Sequence, residues 1–382
     1  MDYSDFNLGD LHFHESEDIR KIIKSAIDAN ASDLHIGSKR KPLMEIGQVY
    51  YPVASRELDY EEVFSISNCL FGSDTARTII ERGDYIDSNF TIKHKRKDFD
   101  TFPREYRFRL NVFPTTVRGN NVPAITIRQL PPDPPKWVDM KYGEDLFSKF
   151  RPPKGIVIVS GPTGSGKSTL LASGIRRIAE EFENEKIVMF EDPIEFVYDS
   201  FINDKVIIEQ SSVGINVKDF ITGMRPFLRR RPTICVVGEA RDAETIRASI
   251  YAAQTGHLVY TTTHTNGAPE TVTRLLNDFP VNEHESRLHN ILEAAELFVS
   301  QRLFQKVGGG VIALREELHF SQDVKRHIED ANLSNYRRLL REATEMYGKS
   351  MVTQAKQLFA DGVISEKVFK EIKLDFSRGD NA

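Results

Sequence analysis

Residues 155–169 read GIVIVSGPTGSGKST, and no other segment constrains the architecture of this chain as strongly. The run contains the pattern G-x-x-x-x-G-K-[ST] between a buried β-branched stretch and a helical pattern, which is the context that a phosphate-binding loop requires. Glycines let the backbone N–H groups of such a loop turn inward around phosphate oxygens. The stretch therefore predicts a strand, a P-loop and a helix, the alternative being a glycine-rich turn that binds no ligand.

The P-loop also predicts the cofactors, which are ATP or ADP together with Mg²⁺. Lys167 supplies positive charge to the β- and γ-phosphates, and the hydroxyl of Ser168 reaches the metal ion. The residues predicted to bind the nucleotide are Gly161, Thr163, Gly164, Ser165, Gly166, Lys167, Ser168 and Thr169.

Strand and helix patterns alternate around and after the P-loop, which is typical of an α/β domain with a mostly parallel sheet. A helix is predicted at residues 168–183. Buried strands are predicted at residues 155–160, 186–190, 234–237 and 258–262. From about residue 282 the pattern is helical and amphipathic apart from a strand-like run at 310–315. Residues from about 320 to 382 are predicted to form a small helical region.

Four prolines within residues 131–135 predict a stiff, extended linker. It would separate an N-terminal domain, residues 1–130, from an ATPase domain, residues 136–382. Short strand-like runs and one helical pattern make the N-terminal domain a small α+β unit. Along residues 106–112 apolar and polar side chains alternate, which predicts a strand with its arginines on the polar face.

Composition excludes several other classes of protein. The chain has 382 residues, of which 40% are hydrophobic and 28% charged, as in ordinary globular proteins. Its net charge of -5 lacks the basic excess of a dedicated nucleic-acid binder. Cys69 and Cys235 form no metal-binding or disulfide pattern. The polar N-terminus is unlike a signal peptide, and no apolar run approaches the ~20 residues of a membrane span. We therefore expect a cytoplasmic protein that reaches a membrane only through a partner.

Carboxylates follow two of the predicted strands. Glu239 comes two residues after the strand predicted at 234–237, where a carboxylate would face the nucleotide-bound Mg²⁺, directly or through water; a solvated strand end is the alternative. Glu191 and Glu195 belong to the acidic cluster at residues 191–195. Hydrolysis needs a carboxylate that activates water. We assign this role to Glu195, with Glu191 as its rival, while a charged turn is the alternative.

His264 lies just beyond the strand predicted at residues 258–262, whose end should lie beside the nucleotide. Its imidazole is placed to sense the γ-phosphate. The alternative is an ordinary core or surface histidine.

Taken together, these segments make the chain similar to the PilT-like ATPases of type II/IV secretion and type IV pili. The resemblance extends over nearly the whole chain and includes residues 31–35, 161–169, 191–195, 209–214, 236–246, 256–266, 299–303 and 361–365. It implies a PAS-like N-terminal domain, a RecA-like P-loop ATPase domain and a homohexameric ring.

Departures from the family pattern indicate a branch. The chain lacks the four-cysteine metal module of type II secretion and pilus-extension ATPases. The AIRNLIRE signature of retraction motors is absent, and residues 320–326 read FSQDVKR in its place. Residues 125–130, ITIRQL, with the prolines after them, resemble the type IVB branch of DotB and the conjugation protein TraJ.

This branch implies a hexameric ATPase that powers a type IVB secretion or conjugation system. It would act at the cytoplasmic face of the inner membrane, docked on another secretion ATPase or a membrane subunit, without binding nucleic acid directly. Two alternatives stay open: a type IV pilus retraction motor, and a nucleotide-gated docking adaptor that hydrolyses ATP feebly.

N-terminal arginines complete the predicted site. P-loop enzymes commonly add an arginine finger to neutralise the charge that develops on the γ-phosphate. The resemblance implies that such arginines reach the nucleotide when the N-terminal domain closes on the ATPase domain. Our order of preference is Arg109, Arg118 and Arg128, then Arg107. The alternative is that they form solvated ion pairs with nearby acids.

Overall fold

The computed structural model describes residues 6–9, 16–47, 49–95, 104–117, 119–130, 133–198, 201, 204–224, 226–240 and 242–377. The chain divides into two compact units, Met1–Pro132 and Asp133–Ala382. Each unit has its own sheet and its own apolar core.

The described part of the N-terminal unit is a six-stranded antiparallel sheet packed with three helices. Its elements are α1 (Ser16–Asp28), β1 (Asp33–Gly37), β2 (Leu43–Ile46), β3 (Val49–Pro52), α2 (Tyr60–Phe71), α3 (Thr75–Glu81), β4 (Ile86–His94), β5 (Arg104–Val117) and β6 (Asn120–Leu130). The strand order is β3-β2-β1-β6-β5-β4, so the longest strands, β5 and β6, are neighbours.

Strand β5 confirms the alternation predicted from the sequence. Tyr106, Phe108 and Leu110 are buried in one core with the apolar side chains of α1. Arg107 and Arg109 lie on the other face, as the two-residue period of a strand requires. The N-terminal unit therefore has a polar sheet face that carries arginines.

The second unit is a seven-stranded sheet between layers of helices. Its elements are α4 (Glu144–Phe150), β7 (Gly155–Ser160), α5 (Lys167–Glu181), β8 (Glu185–Glu191), β9 (Val206–Ser212), α6 (Phe220–Met224), β10 (Ile234–Val237), α7 (Ala243–Gln254), β11 (Leu258–Thr263), α8 (Ala268–Asn277), α9 (His284–Ala294), β12 (Ala295–Gln305), β13 (Val311–His319), α10 (Gln322–His327), α11 (Tyr336–Tyr347), α12 (Met351–Ala360) and α13 (Glu366–Ser377). The order is β13-β12-β7-β11-β10-β8-β9, and every neighbouring pair is parallel except β12 with β13.

Strand β7 lies inside this sheet and is buried along its whole length. Ile156 and Ile158 pack with α7, α8 and α9, whereas Val157 and Val159 pack with α4 and α5 on the opposite face. A strand buried on both faces needs a continuous apolar run, which is what the sequence shows. The P-loop therefore begins at the carboxyl edge of a rigid strand, where open α/β sheets bind ligands.

The helical prediction for the chain beyond residue 282 is wrong for Ala295–Gln305, which forms strand β12. This strand pairs with β7 on one side and β13 on the other. Helix α9 ends at Ala294 and the strand begins at the next residue, so no glycine, proline or turn separates the two elements. The periodicity of a short apolar run fits a helix or a strand equally well. In this segment, pairing with β7 and β13 makes the strand the stable form. Strand β9 was not predicted either.

The C-terminal helical region is present as predicted, from α10 to α13. Helices α12 and α13 form a small core of their own with β12 and β13, which includes Phe304, Leu314, Met351 and Ile372. In the described ranges of the chain, the helices fall short of the length and apolar character needed to cross a membrane.

Candidate active site

The segment between β7 and α5 has the backbone of an anion-binding loop. Gly161 and Gly166 have φ of +142° and +83°, a region that residues with a side chain rarely adopt. The loop leads into the N-terminus of α5, a helix of 15 residues. Unpaired N–H groups and the helix dipole at such an end attract phosphate. The structure therefore provides the phosphate cradle that the sequence predicts.

Lys167 is the first residue of α5, and its ammonium group is buried against the loop. Its Nζ donates hydrogen bonds to the carbonyl oxygens of Gly161 (2.8 Å) and Pro162 (3.1 Å). Desolvation lowers the pKa of Lys167, while the carboxylates of Glu239 and Glu195 oppose this shift. Both acids are therefore close enough to act on the P-loop lysine.

His264 links the P-loop to strand β10. Its Nδ1 lies 3.4 Å from Nζ of Lys167, and its Nε2 lies 3.4 Å from Oε1 of Glu239. Because a protonated lysine can only donate, Nδ1 accepts and Nε2 carries the proton that faces the carboxylate. The imidazole of His264 thus connects the carboxylate of Glu239 to the P-loop lysine.

Two residues of this site carry oxygen atoms suitable as ligands for Mg²⁺. Ser168 follows Lys167 in the chain, and Glu239 follows β10 at the carboxyl edge of the sheet. Mg²⁺ in nucleotide sites takes one or two protein oxygens and completes its shell with phosphates and water. The hydroxyl of Ser168 and the carboxylate of Glu239 are oxygen ligands of the kind that Mg²⁺ takes from proteins. Within the ranges described above, no cluster of three or more histidines, cysteines or acids could hold a metal ion without the nucleotide.

The acidic segment after β8 places its two glutamates differently. Glu191 is the last residue of β8 and accepts a hydrogen bond from Nε2 of Gln210 (2.9 Å). Glu195 is exposed in the loop that follows, and its charge acts on the pKa of Lys167. This arrangement favours Glu195 over Glu191 as the residue that faces bound nucleotide.

Gln210 of β9 holds the loop that carries Glu195. Its Nε2 donates to Glu191 and to the carbonyl oxygen of Phe196 (2.8 Å), while its Oε1 accepts from the backbone N–H of Tyr198 (3.3 Å). The two acceptors and the single donor fix the orientation of the amide. One side chain thus sets the shape of the segment on both sides of Glu195.

The turn after His264 is anchored to the two strands at the other edge of the sheet. Ser300 accepts a hydrogen bond from the N–H of Gly267 (3.0 Å), and Glu316 accepts one from the N–H of Ala268 (3.1 Å) at the start of α8. Desolvation raises the pKa of Glu316 to about 7. The position of His264 therefore depends on β12 and β13 as well as on β11.

The candidate arginines form ion pairs within the N-terminal unit. Arg109 makes two hydrogen bonds to Asp87, of 3.0 and 2.6 Å. Arg128 donates to Asp33 over 2.7 Å. Arg118 lies outside the described residues. Both side chains of the Arg109–Asp87 pair are accessible to solvent, so screening keeps that pair weak, whereas Asp33 in the Arg128 pair is buried.

Sequence reasoning missed two residues that shape this site, Gln210 and Gln301. Both are amides on strands, and both donate to groups in catalytic loops. Both lie in segments that carry the family resemblance, residues 209–214 and 299–303, and this is the signal that could have pointed to them. The partner of Gln301 could not have been named, because β12 was read as helix.

Comparisons with known proteins agree with this geometry. A family model described as "Type II/IV secretion system protein" matches residues 14–345. The type IV pilus retraction ATPase PilT of Pseudomonas aeruginosa is 29% identical over 93% of this chain and 97% of its own. The structure of the ATPase DotB of Legionella pneumophila is similar with a TM-score of 0.81 and 35% identity, over 94% of this chain and 96% of its own. A structure of the pilus retraction motor PilT with bound ADP is similar with a TM-score of 0.76 and 30% identity, over 92% and 96% of the two chains.

Proposed function

Because the chain belongs to the type II/IV secretion system protein family and is thus an ATP-hydrolysing P-loop enzyme, we propose that it is the homohexameric motor of a type IVB secretion or conjugation apparatus. We place it at the cytoplasmic face of the inner membrane. Another secretion ATPase or a membrane subunit recruits it there, and it does not bind nucleic acid directly.

The observation that carries this proposal is the similarity to the Legionella ATPase DotB. The identity of 35% over 94% of the chain exceeds the 30% over 92% of the ADP-bound PilT structure. Residues 125–130, whose sequence resembles the same branch, lie in strand β6. Both observations favour the type IVB branch over the pilus motors.

Pilus retraction is the second candidate, and the match to PilT over 93% of the chain supports it. The segment that replaces the retraction signature bears on the choice. Ser321 caps helix α10 by accepting a hydrogen bond from Val324, and both Phe320 and Val324 are buried in the core. A different sequence is thus built into the fold where a retraction motor would carry its signature, which favours secretion.

The site divides the chemistry of hydrolysis among its residues. The P-loop N–H groups and Lys167 bind the phosphates, and Ser168 and Glu239 hold Mg²⁺. Mg²⁺ neutralises charge on the phosphates when it is bound. Glu195 positions and deprotonates the attacking water. His264, in contact with Lys167 and Glu239, senses whether the γ-phosphate is present.

Glu195→Gln separates binding from hydrolysis. We expect ATP to bind with little change while turnover falls about 10²–10⁴-fold, the usual contribution of a general base. Equilibrium binding of a fluorescent ATP analogue and steady-state phosphate release measure the two effects. Glu191→Gln is the matched comparison, and it should retain more activity. If Glu191→Gln is the inactive variant and Glu195→Gln is not, then Glu191 rather than Glu195 activates the attacking water.

A membrane capture experiment tests the secretion role. Glu195→Gln, held with ATP bound, should be retained by inner membranes of cells that carry the secretion apparatus, together with subunits of that apparatus. Lys167→Gln, which cannot hold the nucleotide properly, is the control and should be recovered far less. Recovery of pilus-assembly subunits instead would establish the retraction alternative.

A further inference from the structure

Gln301 of strand β12 lies directly beneath the P-loop. Its side chain is buried, with 2% of the residue exposed, and its Nε2 donates a hydrogen bond of 2.7 Å to the carbonyl oxygen of Ser165. The preceding residue, Ser300, is paired with Ser160 at the end of β7. Gln301 therefore stands at the point where the chain leaves the sheet and enters the phosphate-binding loop.

This hydrogen bond sets the direction of one peptide group. The carbonyl of Ser165 and the N–H of Gly166 belong to the same trans peptide, in which the two groups point in opposite directions. Because Gln301 holds the carbonyl oxygen against β12, the N–H points away from β12 and toward the cradle. A carbonyl turned into the cradle would instead present its negative end to a phosphate.

A second observation shows how closely the loop packs against the same residue. A Cβ atom added to Gly161 would lie 2.2 Å from the backbone oxygen of Gln301, and one added to Gly166 would lie 2.8 Å from its Nε2. Both distances are too short for any residue but glycine without a rearrangement. Both ends of the loop are thus packed against Gln301.

We propose that Gln301 is a positioning residue that orients the Ser165–Gly166 peptide for binding the phosphates of a nucleoside di- or triphosphate. The role precedes the chemical step, so it affects ADP and ATP alike. The inference rests on the P-loop ATPase part of the proposed function and is independent of the secretion branch.

Gln301→Met tests the proposal, since methionine keeps the length and volume of the side chain and removes the donor. We expect Kd for Mg-ADP and KM for Mg-ATP to rise between about 5-fold and 100-fold, the effect of a buried carbonyl left without its partner, with kcat changed much less. Gln305→Leu, at an exposed position of the same strand, is the control and should leave both constants unchanged.

The pH dependence of Mg-ADP binding by Gln301→Glu distinguishes a positioning role from a purely structural one. The ionised carboxylate has no proton to donate and should weaken binding most, whereas the protonated acid has an O–H that can replace the amide. Affinity for Mg-ADP, taken relative to the wild-type chain at each pH, should recover as the pH is lowered from 8 to 5.5. Gln301→Met should show no such recovery.

These experiments distinguish a failure of the ATPase function from a failure of the role proposed for Gln301. A wild-type chain that does not bind Mg-ADP would overturn the ATPase function itself. A wild-type chain that binds, with Gln301→Met binding equally well and Gln301→Glu showing no dependence on pH, would overturn only the role of Gln301. Should Gln301→Met fail to fold, as judged by its thermal unfolding, the pH series of Gln301→Glu decides alone.

Discussion

Lys167→Gln is expected to lose nearly all ATP turnover, at least about 10³-fold, with an unchanged melting profile of the nucleotide-free protein. Lys167 is the charged group that the fold places inside the P-loop, with its Nζ bonded to the carbonyl oxygens of Gly161 and Pro162. A glutamine amide can still donate to these carbonyls but brings no charge to the phosphates. Phosphate release under saturating Mg-ATP measures the loss.

Lys154→Gln is the matched control for this substitution. Lys154 is exposed just before β7, and its replacement should leave turnover within about twofold of the wild-type rate, since surface changes rarely act on a distant site. If Lys167→Gln retained most of its activity while nucleotide remained bound, residues 161–169 could not be the catalytic P-loop.

Arg109→Ala is expected to reduce hydrolysis by about 10³–10⁵-fold, the usual contribution of an arginine finger. The side chain of Arg109 is 43% exposed and its bond to Asp87 is a surface ion pair, so little energy opposes its transfer to another anion. The finger role that the family resemblance implies would require the N-terminal domain to close on the ATPase domain when ATP is bound. Steady-state turnover, compared at the same state of assembly as the wild-type chain, measures the effect.

Asp87→Asn separates the finger from the ion pair. If Arg109 serves only to bind Asp87, then both Arg109→Ala and Asp87→Asn should have the same small effect on stability and activity. If Arg109 is the finger, Asp87→Asn should keep or increase turnover, because it releases the guanidinium. A loss below tenfold in Arg109→Ala, with hexamers intact, removes the finger assignment.

Most of the fold could be predicted because the patterns that indicate its elements lie within short stretches of the sequence. Strand β7 is a continuous apolar run, β5 alternates with a period of two, and the P-loop has fixed spacing. Strand β12 was missed because its strand state depends on pairing with β7, which lies far earlier in the chain, as well as with the next strand, β13. Hydrogen-bonding partners contributed by the rest of the sheet override a weak local preference.

The candidate site shows the same division between local and distant information. The sequence predicted Lys167, Glu239 and His264 separately, from motifs and strand ends, and the structure places His264 within 3.4 Å of both Lys167 and Glu239. The supporting amides Gln210 and Gln301 act through bonds to residues 12 to 136 positions away. No spacing rule identifies such partners, so only the folded chain reveals them.

The most direct test of the account is the amount of phosphate that the purified wild-type chain releases from Mg-ATP over time, expressed per chain. An energy-converting motor must complete many cycles. We therefore expect release to continue linearly well beyond one phosphate per chain, while ADP exchanges freely with the solution. Release that stops at one phosphate per chain, with ADP retained, would contradict the motor function and identify the protein as a nucleotide-gated adaptor.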